Sequence, residues 1–190
     1  MEAAIAPYPA TLEIDYPEKA NRLTTFFRLV VMLPVVIILY LIGRGLTFPV
    51  VLAMLFRKKY PRWWYDWNLN LTRFGFRIFS YALLLTQAYP SLDEEQGVHL
   101  DLVPPDASQL SRGLPLVKWF LAIPHYVVLY ILWIAVSVVT LLSWFAILFT
   151  GRYPRSFFGF VTGVLRWLLR VEAYAFLLTT DRYPPFSLSA

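Results

Sequence analysis

The chain contains no cysteine, which removes disulfides, thiolate nucleophiles and sulfur-ligated metals from consideration. Charge is sparse: Asp, Glu, Lys and Arg make up 15 % of the 190 residues, against roughly a quarter in ordinary soluble domains. No glycine-rich phosphate loop and no Ser–His–Asp arrangement occurs. The long apolar stretches hold no Asp or Glu, and coupled transporters need acidic groups at depth. His125 lies inside an apolar stretch, but no second His, Asp or Glu accompanies it there. A metal or haem needs more ligands than that. The sequence therefore leads us to expect no enzyme, no cofactor and no metal. The segment Met1 to Lys19 carries Glu2, Glu13, Asp15 and Glu18 and no basic cluster ahead of an apolar run. It does not read as a signal peptide, so the first apolar helix is expected to act as its own insertion signal.

What is abundant is apolar surface, with 58 % hydrophobic residues and 7 Trp, 12 Tyr and 15 Phe. A soluble domain this small leaves too much surface in water to hide that excess, so lipid is the expected solvent. Trp63, Trp64, Tyr65 and Trp67 form a cluster of the kind that sits among headgroups, ring in lipid and polar tip in water. The formal charge of +5 suits nucleic acid or anionic lipid. With these apolar runs, anionic membrane lipid is the expected partner and nucleic acid is not.

An internal repeat organises the chain. At a shift of about 90 residues Arg22 falls on Arg112, Arg28 on Lys118, Pro34 on Pro124 and Tyr40 on Tyr130. At a shift about three larger, Ala53–Phe56 falls on Ala146–Phe149 and Tyr60-Pro61-Arg62 on Tyr153-Pro154-Arg155. Arg73 and Arg77 then fall on Arg166 and Arg170, Tyr81 on Tyr174, and Leu84-Leu85-Thr86 on Leu177-Leu178-Thr179. One further inserted residue brings Tyr89-Pro90 onto Tyr183-Pro184. The expected units are residues 1–92 and 98–190, joined by an acidic linker, 93–97.

Each unit reads as a strand, an apolar stretch, a basic Tyr-Pro-Arg turn and a helix. Leu12, Ile14 and Tyr16 alternate with polar residues, as do Val98, Leu100 and Leu102, which is the period of a half-buried strand. The apolar stretches, Phe26 to Phe56 and Trp119 to Thr150, would each run about 47 Å as one helix, against a hydrocarbon core of about 30 Å. Basic residues flank both ends of each: Arg22 and Arg28, then Arg57 to Arg62; Arg112 and Lys118, then Arg152 and Arg155. The positive-inside rule puts all of these on the cytoplasmic side, so each stretch is expected to fold back as a transmembrane hairpin. Gly43-Arg44-Gly45 supplies the first turn, and Ser137 and Thr140 mark the weaker second one. Pro34 and Pro124 are expected to kink the first arms. The expected fold class is mainly α and membrane-bound, multi-pass, with cytoplasmic termini and two interfacial amphipathic helices. The segments Tyr81–Thr86 and Tyr174–Thr179 are too short to assign, and either end a helix or pair with the opening strand.

The amphipathic helices hold the candidate sites. Asp66, Asn70, Arg73 and Arg77 share one stripe; Gly159, Thr162, Gly163, Arg166 and Arg170 share another. Two readings stand. Arg73, Arg77, Arg166 and Arg170 hold anionic lipid headgroups, which guanidinium groups suit. Alternatively they snorkel for position, or pair with Asp15, Asp101 or Glu172.

Around Phe149-Thr150-Gly151-Arg152-Tyr153-Pro154, Leu165-Arg166-Trp167 and Leu177-Leu178-Thr179-Thr180-Asp181-Arg182-Tyr183-Pro184-Pro185-Phe186, the chain resembles the bacterial membrane proteins grouped as domain of unknown function 4389. The resemblance covers almost the whole chain. The first unit departs from it, with Arg57-Lys58-Lys59 where the second has Thr150-Gly151-Arg152. It implies a membrane protein and offers no activity or catalytic residue; the expected location is the bacterial inner membrane. The expected function is a non-enzymatic accessory or scaffold subunit of a membrane assembly, oligomeric with itself or with a larger complex. The alternative is an anionic-lipid-binding or membrane-shaping protein, and a channel or small-solute transporter ranks third.

Overall fold

The computed structural model describes residues 8–43, 53, 56–57, 60–106, 110–111 and 113–189. Two strands, β1 (Ala10–Ile14) and β2 (Val98–Leu102), form a two-stranded antiparallel sheet. Its register runs from Ala10 opposite Leu102, through Leu12 opposite Leu100, to Ile14 opposite Val98. The alternation seen in the sequence sets the faces. Ala10, Leu12, Ile14, Val98, Leu100 and Leu102 point inward, while Thr11, Glu13, His99 and Asp101 face out. An isolated two-stranded sheet is barely stable in water, so the helices beneath it carry this one.

The helices are α1 (Arg22–Gly43), α2 (Arg62–Ala82), a short α3 (Lys118–Leu121), α4 (Ile123–Thr150) and α5 (Arg155–Ala175). They stack in layers under the sheet. On α5, Arg166 reaches β1 and Gly163 meets Leu188 of the C-terminal segment so closely that a Cβ there would come within 2.9 Å of the Leu188 carbonyl. The other side of α5 packs on α4, where Trp167 Nε1 donates to His125 Nδ1 at 3.0 Å. On α2, Arg73 reaches β2, while Phe74 and Ile78 pack on Val35 and Leu39 of α1. Helices α1 and α4 run antiparallel in the outer layer: Arg22 Nη2 donates to Phe149 O at 3.2 Å, and Trp144 Nε1 donates to Thr25 O at 3.2 Å. Their far side is bare and apolar, with Leu29, Val30, Leu33 and Ile37 on α1 and Val127, Ile131, Ile134, Val138, Leu141 and Phe145 on α4 all exposed.

Among the described residues, α4 is the one helix long and apolar enough to cross a membrane, at 28 residues and mean hydropathy 2.4. This corrects the expected hairpin in the second apolar stretch. Ser137 and Thr140 both lie within this one continuous helix, and Ser137 Oγ donates to Trp133 O at 2.9 Å, four residues back along the same helix, so it forces no turn. The helix instead stops at Gly151, in the left-handed region at φ 73°, whose N–H donates to Ile147 O at 2.8 Å. Pro124 does not kink an arm; it sits in the first turn of α4, where its missing N–H costs nothing. Pro34 lies within α1. The first expected turn, beyond Gly43, lies outside the described residues.

The unassigned closing segments end helices rather than pairing with strands. Leu84 and Leu178 take φ of 67° and 57°, a conformation that costs an L residue about 1–2 kcal/mol. Both side chains are buried, at 3 % and 1 % exposure, and burying a leucine returns a similar or larger amount.

Candidate functional site

Arg73 and Arg166 meet the two sides of one strand pair. Arg73 Nε donates to Leu100 O, and Arg166 Nε donates to Leu12 O, both at 2.8 Å. Leu12 and Leu100 are directly opposite each other at the centre of the sheet. Each helix therefore grips the strand from the other half of the chain. Arg73 also pairs with Asp101, Nη2 to Oδ1 at 2.6 Å. The second arginine of each pair secures the segment that follows its own helix. Arg77 Nη1 donates to Ser91 O at 2.6 Å; Arg170 Nη1 donates to Ser187 O at 3.3 Å and its Nη2 to Ser189 O. Of the acidic partners considered for these arginines, Asp101 is used. Asp15 faces His99, at 3.3 Å from Nε2.

Two buried cations, Arg28 and Lys118, entered the sequence reading only as charges flanking the apolar stretches. Lys118 is fully buried, and its Nζ donates to Thr180 O at 2.7 Å and lies 2.7 Å from Asp181 Oδ1. It also sits over the Tyr174 ring at 5.1 Å. Burial pulls the ammonium below the usual lysine range and Asp181 pulls it back up. Asp181 is held in turn by the Ser111 N–H, which donates to Oδ2 at 2.7 Å. Arg28, at 2 % exposure, makes the corresponding contacts. Its Nη1 donates to Tyr81 O at 2.7 Å and Thr86 O at 2.8 Å, and its guanidinium lies over the Tyr81 ring at 4.3 Å. The sequence held a partial signal for this arrangement: a cation at the start of each apolar stretch, and a Tyr at the end of each amphipathic helix followed by a Thr five residues on in the first half and six in the second.

A cavity of about 440 Å³ opens beside Arg28, between α1 and α4. Thr25, Leu29, Leu83, Thr140, Leu141 and Trp144 contribute to its wall. A second groove of about 420 Å³ holds Glu172 among Phe79, Tyr126, Leu129, Leu168 and Phe176. Desolvation raises the Glu172 carboxyl to about 7. His125 is packed rather than poised: Trp167 Nε1 donates to its Nδ1 at 3.0 Å, and Phe186 stacks on the ring at 4.0 Å. Among the described residues no group of three His, Asp or Glu side chains comes together.

Residues 115–187 match the family described as Domain of unknown function (DUF4389). The match covers the second half of the chain, from the turn before α3 to the C-terminal segment. Nothing matches among curated proteins or among solved structures.

Proposed function

We propose that the protein is a non-enzymatic membrane element, made of two tandem copies of one unit, that lies in one leaflet with α1 and α4 in lipid and the sheet in water. One observation carries this reading: polarity changes across the helix layers and not along the helix axes. A helix that crosses a bilayer is polar at its ends and apolar between them. Here the centre of the sheet meets α5 midway along its length, where Arg166 bonds Leu12 O, and Arg73 and Asp101 join at the same strand pair. Standing α4 upright would carry those charges and both open edges of the sheet to the bilayer centre, where unsatisfied backbone costs several kcal/mol per group. Laid flat, α4 puts its bare stripe in acyl chains and leaves the sheet wet, as amphipathic interfacial elements do. The N-terminal strand and C-terminal segment then share the water side, in keeping with cytoplasmic termini at an inner membrane.

A one-leaflet slab of this kind organises or bends the lipid around it, and that membrane-shaping role is the function the geometry favours. The accessory-subunit role rests on the exposed Trp63 and Trp67 of α2, which offer aromatic surface to a partner at headgroup depth. The four arginines donate to backbone carbonyls and Asp101, which supports a positioning role for them over headgroup capture.

Depth measurement tests the placement. Single cysteines at Val127, Ile131, Ile134, Val138, Leu141 and Phe145 in this cysteine-free chain carry spin labels in liposomes, and oxygen and nickel accessibility report their depth. Equal depth along the stripe is expected. A single maximum near Ile134 and Val138, with both ends shallow, would mean that α4 spans and the in-plane reading is wrong. Purification from the native membrane then separates the roles: a stoichiometric protein partner supports the subunit, and lipid alone supports membrane shaping.

A further inference from the structure

The groove built by α2, α4 and α5 holds one acid and three aromatic rings: Glu172 lines it together with Phe79, Tyr126 and Phe176. Glu172 is half-buried and forms no side-chain hydrogen bond or ion pair among the described residues. Its carboxyl oxygens differ from the sealed nitrogens of Arg28, because they remain accessible. Desolvation alone acts on the carboxyl and holds it up at about 7, with no Lys or Arg close enough to draw it down. The matching position in the first half is Phe79, so the shared frame does not require an acid here. A carboxylate without a counter-charge in apolar surroundings is costly, and a group of that kind in a native structure calls for an explanation.

The volume of the groove, about 420 Å³, falls in the range of small-molecule sites, roughly 300–1,000 Å³, and its apolar walls around one charged group are the usual make-up of such sites. The rings select the class of ligand. Phe176 is 45 % exposed, and its ring lies 6.0 Å from that of Tyr126, tilted by 38°. Phe79 is braced edge-on by Trp133 at 5.8 Å. Aromatic faces attract a cation within about 6 Å of the ring centroid. Hydrogen-bonding capacity narrows the class further. A primary ammonium carries three donors that need acceptors. The Tyr126 hydroxyl is sealed, which leaves Glu172 as the open side-chain acceptor of the groove among the described residues. A fully methylated ammonium has no donor to satisfy and asks only for negative charge and aromatic surface. We infer that this groove binds a quaternary ammonium group, with its charge on Glu172 and its methyl groups against Tyr126, Phe176 and Phe79. Free choline and a choline lipid headgroup both present that chemistry. The site is defined by side chains of three packed helices and does not rest on how α4 lies in the membrane.

The test uses the full chain in neutral maltoside detergent at about pH 8, where the free carboxyl is ionised. The probes are choline, its uncharged carbon isostere dimethylbutanol, and dihexanoyl phosphatidylcholine, which carries the same head on a lipid. Each is titrated by calorimetry. Choline, the phospholipid or both should bind at least about tenfold more tightly than the alcohol. Binding of choline assigns the site to the free cation, and binding of the phospholipid alone assigns it to a lipid headgroup. Glu172→Gln should abolish the preference and leave the alcohol unchanged, which also reports that the groove is intact. Phe176→Leu keeps apolar bulk at an exposed position and should weaken the cation several-fold without weakening the alcohol. Proton and cation compete for one carboxyl, so binding should be about tenfold weaker at pH 6 than at pH 8, and independent of pH in Glu172→Gln. Tyr126 is the other titratable side chain lining the groove, and burial raises it away from this range. Equal affinity for cation and alcohol, no binding of choline or the phospholipid, or a preference that survives Glu172→Gln would overturn the proposal.

Discussion

The first half of the chain, residues 8–92, and the second, 98–189, build the same local arrangements and finish them differently. Both place an arginine of the amphipathic helix on a central strand carbonyl, at 2.8 Å in each case. Both end that helix on a left-handed leucine and seat a cation over a tyrosine ring. The second half then closes its charges internally, as Lys118 has Asp181. The first half leaves Arg28 with two buried nitrogens that have no partner among the described residues. Glu172 of α5 and Phe79 of α2, which correspond at the larger sequence shift, meet at one groove. The lesson is that similar geometry does not imply similar chemistry: a buried cation over a tyrosine ring is paired with an acid in one half and stands beside a neutral glutamine, Gln87, in the other.

The largest effect should come from breaking that contrast at Lys118. Asp181→Asn strips the acid from a fully buried ammonium, and loss of one partner of a buried pair costs about 3–5 kcal/mol. Gln87→Ala, at the matching place, should cost under about 1 kcal/mol, since it removes neutral hydrogen bonds near the surface. Chemical denaturation of the two variants in the same detergent makes the comparison. Equal losses would show that the two cations are not held in different ways.

A smaller effect should follow pH through Glu172 of the second half. The Glu172 carboxyl is raised to about 7 when folded, against about 4.3 in an unfolded chain. Between these values the folded state binds more protons, so stability falls as pH rises through the window and is highest below it. The change is about 3 kcal/mol from pH 4 to pH 8. Glu172→Gln should flatten this part of the profile, measured as denaturation midpoint against pH. A slope that persists in the variant belongs to another group.

Smallest and most symmetric should be the arginine pair. Arg73→Gln and Arg166→Gln each lose one charge-assisted bond to a strand carbonyl, about 1.5–3 kcal/mol before any compensation by the glutamine amide. The two should destabilise alike and leave binding to anionic liposomes unchanged. Binding that drops by about tenfold with stability intact would return these arginines to the headgroup role.

Much of this was legible in the sequence because it depends on local periodicity. Alternation at Leu12 and Ile14, and at Val98, Leu100 and Leu102, marked both strands and their inward faces. The arginine stripes marked one face of α2 and one of α5, and the apolar excess marked α4. The sequence by itself determined which segments form elements and which side of each avoids water, since those follow from 2.0- and 3.6-residue periods and transfer free energy. Only the tertiary structure decided what each side meets. The Ser137 region reads equally as a turn or as helix until the Ser137 hydroxyl is seen bonded to Trp133 O within one continuous helix. That β1 pairs with β2, and that Arg73 reaches β2 while Arg166 reaches β1, are contacts between residues tens of positions apart, on which local pattern is silent. The unmet charge of Arg28 is a tertiary fact of the same kind: it rests on a glutamine nearly sixty residues away in sequence, and it exists because folding brings that glutamine's segment to a cation that water can no longer reach.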